Sequence, residues 1–278
     1  EAGINKTPKQ QITVRSLMFN GTTDSPVVDW IEKVTEEGLP IFLAEADAFP
    51  LEDTDYQVFN TPVKKIAGMT KVTEEKLEDI TWMSNEIRAE LVERHEIEVE
   101  KQLLNGDGLG ANLAGLIPTY AQAFSAPVAL ADTVPNANKT DVLRAAILQV
   151  RLAQHYPTVI MLNPADVAGM ELEKGSDGHY VIPPFRTADG MTVKGISVVE
   201  TTEIVGGRFL VGDFSKAGVF VRRSPRLEIG LDGDDFSRDL RTVKLSERMA
   251  FRVKGRDVQA FVEGDFASAI VALDPNLP

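Results

Sequence analysis

One long amphipathic helix, ended by a glycine-rich turn, constrains the fold more than any other feature of this 278-residue sequence. Between about Asp79 and Asn105, apolar side chains recur about every 3.5 residues and charged residues fill the other faces. The stripe comprises Ile80, Met83, Ile87, Leu91, Glu98 or Val99, and Gln102 or Leu103. Such a helix spans nearly 40 Å at roughly 1.5 Å per residue. It is predicted to be a spine that Gly106 ends.

The turn itself, QLLNGDGLGANLAGLI (residues 102–117), does not predict a nucleotide site. Its glycines follow the helix, whereas a phosphate-binding loop opens one. The spacing fits neither G-x-G-x-x-G nor G-x-x-x-x-G-K-[ST], and a calcium loop starting at Asn105 would end on Leu116 rather than on a glutamate. Asp107 and Asn112 are therefore expected to make hydrogen bonds within the turn.

Composition excludes several other classes of protein. The chain contains no cysteine, so disulfide and thiolate chemistry are excluded. No apolar run reaches the roughly 18 residues of a membrane helix, and the first ten residues lack the apolar stretch of a signal peptide. The formal charge of 29 − 42 = −13 argues against sequence-independent binding of nucleic acid over the whole surface.

The charge is unevenly distributed. Residues 28–105 hold 19 acidic and 8 basic side chains, whereas residues 222–256 hold 10 basic and 6 acidic ones. Opposite patches on one polypeptide allow copies to pair with one another, although two ordinary solvated surfaces would give the same count.

The first 75 residues predict an arm and a hairpin. Residues 1–27 are polar and without periodicity, so an extended arm is expected. Val28–Lys33 is predicted to form a short helix, Leu39–Leu43 to begin an extended segment, and Val58–Val72 to form a returning strand broken by Pro62 and Gly68. An isolated hairpin is marginal in water, so this one needs a surface to lie on.

Residues 140–223 predict a mixed α/β unit. Thr140 is expected to cap a helix that runs to about Gln154, and Asn163-Pro164 to start another. The apolar side of the first helix is predicted to comprise Val142, Ala145, Ala146, Leu148 and Leu152. The predicted strands are Thr158–Leu162, Thr192–Glu200, Phe209–Asp213 and Val219–Arg223.

The clearest strand is Val243–Lys254. Its odd positions are apolar except for Glu247, and its even positions form a largely basic stripe, so period two is nearly perfect. One face is expected to be buried apart from Glu247.

The sequence predicts no catalytic residues, and we expect no enzyme, cofactor or metal site. His95 is interpreted as a surface residue on a charged helix, His155 as a helix-end residue and His179 as part of a turn. Asp232, Asp234 and Asp235 are interpreted as a polar turn rather than a cation site. No G-x-S-x-G elbow is present.

The order of these elements resembles the major capsid proteins of tailed bacteriophages. Three sequence motifs carry the resemblance: QLLNGDGLGANLAGL, MLNPADVAGMELEKGSDGHYVIP and FLVGDFSKAGVFVRR. The resemblance implies an α+β fold of the Hong Kong 97 type (HK97-like). It also implies a virion capsid protein that assembles in the host cytoplasm into an icosahedral shell of hexamers and pentamers around double-stranded DNA, with no membrane contact. Portal, scaffold and decoration proteins are further implied partners, and loss of an N-terminal scaffolding segment would account for a first residue other than Met.

The family architecture implies four parts. Residues 1–30 would form the N-terminal arm and residues 31–75 the extended loop with its base. Residues 76–115 and 226–251 would form the peripheral domain, and residues 116–225 and 252–278 the axial domain. Some relatives weld subunits by a Lys–Asn isopeptide bond with the help of a glutamate. Here those positions fall at Phe49, Asp239 and Ser246, so no crosslink is expected.

Charge then suggests how neighbouring subunits meet. We hypothesise that acidic residues of the loop lie on a neighbour's basic surface. The acidic candidates are Glu45, Asp47, Glu52, Asp53 and Asp55, and the basic candidates are Arg238, Arg241, Arg248 and Arg252. Two alternatives stay open, namely an encapsulin-type shell that holds cargo enzymes and a soluble α/β enzyme with an unrecognised site.

Overall fold

The computed structural model describes residues 14–37, 42–43, 49, 53–75, 83–174 and 191–274. The helices are α1 (Val14–Leu17), α2 (Met83–Asn105), α3 (Lys139–Leu152), α4 (Pro164–Glu171) and α5 (Phe266–Leu273). The strands are β1 (Phe19–Thr22), β2 (Val27–Glu37), β3 (Asp53–Pro62), β4 (Lys64–Thr73), β5 (Gln122–Ala123), β6 (Val159–Leu162), β7 (Thr192–Val193), β8 (Ile196–Glu200), β9 (Arg208–Gly212), β10 (Ala217–Gly230), β11 (Leu240–Val253) and β12 (Phe261–Asp265). A π-helical turn (Leu116–Tyr120) and the 3₁₀ turns Phe214–Lys216, Gly233–Arg238 and Gly255–Ala260 complete them.

A four-stranded sheet in the order β1-β10-β11-β4 carries the spine helix α2. Its two central strands are antiparallel and 14 residues long each. The predicted period-two strand is confirmed, because every odd position from Val243 to Val253 is buried. Val99 and Leu103 of α2 share one core cluster with Met249 and Phe251 of β11.

A six-stranded mixed sheet in the order β5-β12-β9-β6-β8-β7 forms the second layer system. Parallel β6 and β8 are separated in sequence by α4, which begins as predicted with Asn163 as its cap and Pro164 as its first residue. Helices α3 and α5 share a core cluster with this sheet, in which Phe209 of β9 packs against Phe266 of α5. The predicted mixed α/β unit is confirmed.

Helix α3 differs from its prediction in two ways. Its cap is Asn138 rather than Thr140, because Asn138 and Asp141 bond each other's backbone N–H groups in a capping box. The buried side includes Val142, Ala145 and Ala146 as predicted, but Leu152 is 63 % exposed and Leu148 is only half-buried. The residues it buries are Val142, Leu143, Ala145, Ala146, Ile147 and Val150.

Residues 28–33 form part of strand β2, so the predicted short helix was wrong. β2 pairs antiparallel with β3, with Trp30 opposite Phe59 and Ile31 opposite Val58. The β-branched and aromatic residues of this segment favour a pleated strand once a distant partner is available. Of the predicted segment Leu39–Leu43, the described residues 42–43 have no regular structure.

The returning strand is interrupted at Val63, between β3 and β4, whereas Gly68 lies inside β4 without breaking it. The predicted strand Thr192–Glu200 is divided into β7 and β8 by a turn at Lys194 and Gly195, both with positive φ. β10 extends seven residues beyond its predicted end at Arg223. None of the described helices combines the length and the apolarity needed to cross a membrane.

Candidate inter-subunit contact surfaces

The glycine-rich turn is a joint made of closely packed backbone. A Cβ on Gly106 would lie 2.3 Å from the carbonyl oxygen of Leu113, and one on Gly115 would lie 2.3 Å from the nitrogen of Gly106. Because the obstructing atoms are backbone, neither clash can be relieved by a rotamer change. These two glycines therefore let the chain double back immediately after the spine helix.

Hydrogen bonds within the turn confirm the predicted role of its polar residues. Asp107 Oδ1 accepts bonds from the Leu109 N–H at 3.0 Å and from Asn112 Nδ2 at 2.9 Å. The Asn112 bond, followed by the Leu109 bond, lowers the pKa of Asp107. Lys64, at the start of β4, donates a hydrogen bond to the Gly110 carbonyl. The turn is thus fastened to the base of the hairpin.

The β2–β3 hairpin has two different faces. Trp30, Glu32 and Phe59 form the inner hairpin face, where the Trp30 and Phe59 rings stack at 6.1 Å. Ile31 and Val58 lie on the opposite, outer hairpin face together with Tyr56. These three side chains are 66 %, 64 % and 65 % exposed, so the subunit leaves an apolar strip in water.

The acidic candidates are only partly visible. Glu45, Asp47 and Glu52 lie outside the described residues, and of Asp53 only the backbone is described. Asp55 is exposed on β3, opposite Thr35 of β2.

The four basic candidates do not form one patch. Arg241 and Arg252 lie 11 positions apart along β11, which corresponds to about 36 Å at roughly 3.3 Å per residue. Arg241 pairs at 2.7 Å with Glu74 of its own subunit, and the Glu74 hydrogen bond raises its pKa. Arg238 is exposed, with Nη2 3.9 Å from Asp234.

Arg248 lies in a row of positive charges that crosses the sheet. In register, it stands between Arg223 of β10 and Lys65 of β4. Like charges directly opposite one another destabilise a sheet, so this basic row favours an anionic partner. Glu228 supplies part of this negative charge, because its Oε1 lies 3.8 Å from Arg223. Its closer pairs are with Lys244 at 2.7 Å and Arg226 at 3.0 Å.

Arg252 lies at the other end of β11, in an intramolecular contact. Its guanidinium is 4.5 Å from the centroid of the Trp30 ring and 4.8 Å from that of Phe220.

The turn at residues 232–239 is a polar turn as predicted, and one of its aspartates is buried. Asp235 bonds Lys71 of β4 at 2.7 Å and Thr242 of β11 at 2.5 Å. The Lys71 bond and then the Thr242 bond lower the pKa of Asp235 to about 2. It also accepts from the Asp232 N–H as part of a capping box. Within the described ranges, no three metal-ligating side chains come together.

His95 and Glu247 are both buried, which corrects two predictions. His95 was expected on the surface, but it is 7 % exposed and its Nε2 lies 2.8 Å from Glu247 Oε2. Glu247 is fully buried rather than an exception on the buried face of β11. Half-buried Arg15 of α1 lies 2.9 Å from Glu247 Oε1 and completes a set of three residues, which we call the buried triad after its central carboxylate.

The sequence contained a signal for the buried triad. His95 lies four residues after Leu91, in line with the apolar stripe of α2, and Glu247 lies on the apolar face of β11. Two polar residues on two faces that pack together require each other as partners, because a buried charge must be paired. His155 is half-buried just after α3, and His179 lies outside the described residues.

A long helix on a four-stranded sheet, a projecting hairpin and a second mixed sheet define the class of HK97-like shell subunits. The chain matches the phage capsid family over residues 1–266 and belongs to that family. It is similar to the major capsid protein of Enterobacteria phage HK97, with 27 % identity over 268 residues, covering 96 % of this chain and 68 % of that protein.

Solved structures confirm the predicted fold. The chain matches a structure described as the capsid of an empty GTA particle with a TM-score of 0.73 at 16 % identity, covering 96 % of this chain and 93 % of that one. A structure from Microbacterium phage Oxtober96 matches with a TM-score of 0.73 at 12 % identity, covering 95 % and 96 % of the two chains. One from Mycobacterium phage Bobi has the same score at 14 % identity, covering 95 % and 94 %.

Proposed function

We propose that this chain is the major capsid protein of a tailed phage and assembles through repeated contacts with its own copies into the icosahedral head. Membership of the phage capsid family supports this function. The single observation that carries the assembly mechanism is the outer hairpin face, whose three apolar side chains are about two-thirds exposed in the isolated subunit. Fully burying such a side chain contributes roughly 1.5–3 kcal/mol, and a shell repeats that contribution at every subunit.

The four-part organisation expected from the sequence belongs to this proposal. Residues 1–30 are the arm, of which residues 14–22 lie on the subunit's own core and sheet. Residues 31–75 are the extended loop with its base, residues 76–115 and 226–251 the peripheral domain, and residues 116–225 and 252–278 the axial domain. Strands β10 and β11 each cross a boundary between the last two domains. Two 14-residue strands that continue through both parts favour a stiff connection between them.

Charge gives the hairpin contact its register. The acidic residues of the loop, Asp55 among them, lie on the basic row of a neighbour, where Arg248 stands between two other cations. Arg238 has only a loose intramolecular pair with Asp234 at 3.9 Å, whereas Arg241 and Arg252 have closer intramolecular contacts. A single exposed pair contributes about 0–1 kcal/mol, so the competing account is that apolar burial holds the shell together and charge only selects the alignment.

The shell holds without covalent crosslinks between subunits. The positions at which some relatives place lysine, asparagine and glutamate are occupied by Phe49, Asp239 and Ser246. Phe49 has no amine, and Ser246 is buried in β11. Shells boiled in detergent are therefore expected to run on a denaturing gel as one band near 30.4 kDa, whereas a ladder of covalent multimers would contradict this proposal.

The interior of the head holds double-stranded DNA, which the net charge of −13 leaves without tight attachment to the wall. Portal, scaffold and decoration proteins are further partners within this proposal.

The test is electron microscopy and light scattering of the purified full chain. Native protein is expected to form closed shells. The double variant Ile31→Asp with Val58→Asp should stay as small oligomers, because it removes the apolar surface of the outer hairpin face. Asn60→Asp is the matched control, since it adds a charge to β3 without removing apolar surface, and it should still form shells. Shells of normal yield from the double variant would contradict the mechanism.

A further inference from the structure

Arg252 occupies a site that three separate elements build. It is the last arginine of β11, and it stands opposite Gly218 of β10. The guanidinium lies between two aromatic rings, that of Phe220 from the same sheet and that of Trp30 from the hairpin. One cation is thus in contact with the body of the subunit on one side and with the hairpin on the other.

Two glycines form the floor of this site. A Cβ on Gly218 would lie 2.9 Å from the Phe220 ring, and one on Gly21 of β1 would lie 3.0 Å from it. The ring therefore lies flat over both strands, which orients its face toward the guanidinium. Phe19 of β1 packs against the same ring at 5.9 Å.

A second contact fastens the same hairpin face. Both carboxylate oxygens of Glu32 accept from the Gly255 N–H, at 2.9 and 3.0 Å. The Trp30 indole N–H also donates to Glu32, so the two inner-face residues hold each other in place. A Cβ at position 255 would lie 2.9 Å from a Glu32 oxygen, so a side chain there would displace the Glu32 carboxylate.

The Arg252 contact depends on the two rings. Its Nε and Nη1 atoms are buried and, within the part of the chain that the structure describes, neither has a hydrogen-bond partner. Burial lowers the pKa of Arg252, while Glu32 and Asp257 act in the opposite direction. A guanidinium with two unpaired donors is stable in this place only while ring faces cover it.

We propose that Arg252 is a positioning residue that holds the hairpin at a fixed angle to the body of the unassembled subunit, so that the outer hairpin face points away from it. Its charge acts through the faces of Trp30 and Phe220 within one subunit. The inference rests on the proposed function only for its effect on shells, because the angle of the hairpin is a property of the single subunit.

Fluorescence of Trp30 tests the inference in the full chain before assembly. The sequence has two tryptophans, so Trp82→Phe leaves Trp30 as the reporter. In that background, Arg252→Met keeps a side chain of similar length but removes the cation. We expect a red shift of the emission and a larger Stern–Volmer constant for acrylamide quenching, with a circular dichroism spectrum that does not change. The yield of closed shells should fall.

Lys254→Met is the matched control, because it removes an equal charge two residues away from a side chain that is exposed. It should leave the emission and the quenching unchanged. Equal quenching of Trp30 in the native and Arg252→Met subunits would overturn the inference, as would an equal effect of Lys254→Met. If Arg252→Met does not fold, Arg252→Gln provides the same readout, because it also removes the cation that the two rings cover. Failure of native subunits to form shells would refute the proposed function and leave this result unaffected.

Discussion

His95 Nε2 lies 2.8 Å from Glu247 Oε2 in the interior, between the spine helix α2 and the four-stranded sheet. An ionised carboxylate only accepts hydrogen bonds, so this nitrogen of His95 carries the proton. Arg15 reaches the other carboxylate oxygen at 2.9 Å from the short helix that precedes β1. The buried triad therefore joins three elements that are distant in sequence.

Removing the charge of Glu247 should destabilise the subunit. Glu247→Gln leaves Arg15 and His95 without the carboxylate that they share, and hydrogen bonds to charged groups contribute roughly 1.5–3 kcal/mol. We expect the free energy of unfolding to fall by about 2 kcal/mol in urea titrations. Arg94→Gln is the control, since it breaks an exposed pair with Glu90 on α2, the helix that carries His95. It should lower the free energy of unfolding by less than about 0.5 kcal/mol. Equal midpoints for native protein and Glu247→Gln would count against the buried triad.

Acid should weaken the subunit in a window set by two carboxylates. Burial alone raises the pKa of Glu247, but the hydrogen bonds from His95 and Arg15 outweigh it and hold that pKa below the ordinary 4.5. The hydrogen bond from Lys71, followed by that from Thr242, lowers the pKa of Asp235 from 3.8 to about 2. Groups with depressed pKa values bind more protons when unfolded, so their contribution is present above the unfolded pKa and is lost as the pH falls through the folded one.

Asp235→Asn tests this window most cleanly. Urea titrations between pH 5 and pH 2 should show a shallower loss of stability for the variant than for the native chain below about pH 3.8, because Asp235 no longer takes up a proton on unfolding. Parallel curves over that range would show that Lys71 and Thr242 do not hold Asp235 ionised.

Glycine substitutions should rank by what a methyl group meets. Gly106→Ala places a Cβ 2.3 Å from a backbone oxygen and should prevent folding or cost several kcal/mol, whereas Gly110→Ala meets only a positive φ of 55° and should cost about 1–3 kcal/mol. Gly169→Ala, in open space within α4, should stabilise by about 0.4–1 kcal/mol. A different order of melting temperatures among the three variants would show that close backbone packing does not form the joint at the glycine-rich turn.

Reversing the centre of the basic row should separate folding from assembly. Arg248→Glu relieves repulsion with Arg223 and Lys65 inside one subunit, so the melting temperature should hold or rise. Assembly should become weaker and less sensitive to salt, because the proposed attraction between the row and the acidic loop of a neighbour is lost. Arg144→Glu, an exposed reversal on α3, is the matched control. If shells of Arg248→Glu keep the native salt dependence, the charge of the basic row does not contribute to assembly.

Local sequence patterns predicted those elements whose signal lies within their own residues. Strand β11 followed from its period of two, and the Asn163-Pro164 start of α4 followed from capping chemistry. Strand β2 was missed because residues 27–37 form a strand only through pairing with β3, which begins 16 residues after β2 ends. The triad was missed for a similar reason, since 152 residues separate His95 from Glu247. The sequence predicted Arg252 only as one residue of the basic stripe on β11, because no local pattern indicates that Trp30 lies next to it.

We propose that copies of this subunit cohere through the outer hairpin face. The decisive experiment is electron cryomicroscopy of particles assembled from the purified full chain. We predict closed icosahedral shells in which Ile31, Tyr56 and Val58 of each hairpin are buried on a neighbouring copy. Particles in which these three side chains stay in water, or a chain that remains monomeric under every assembly condition, would contradict the claim.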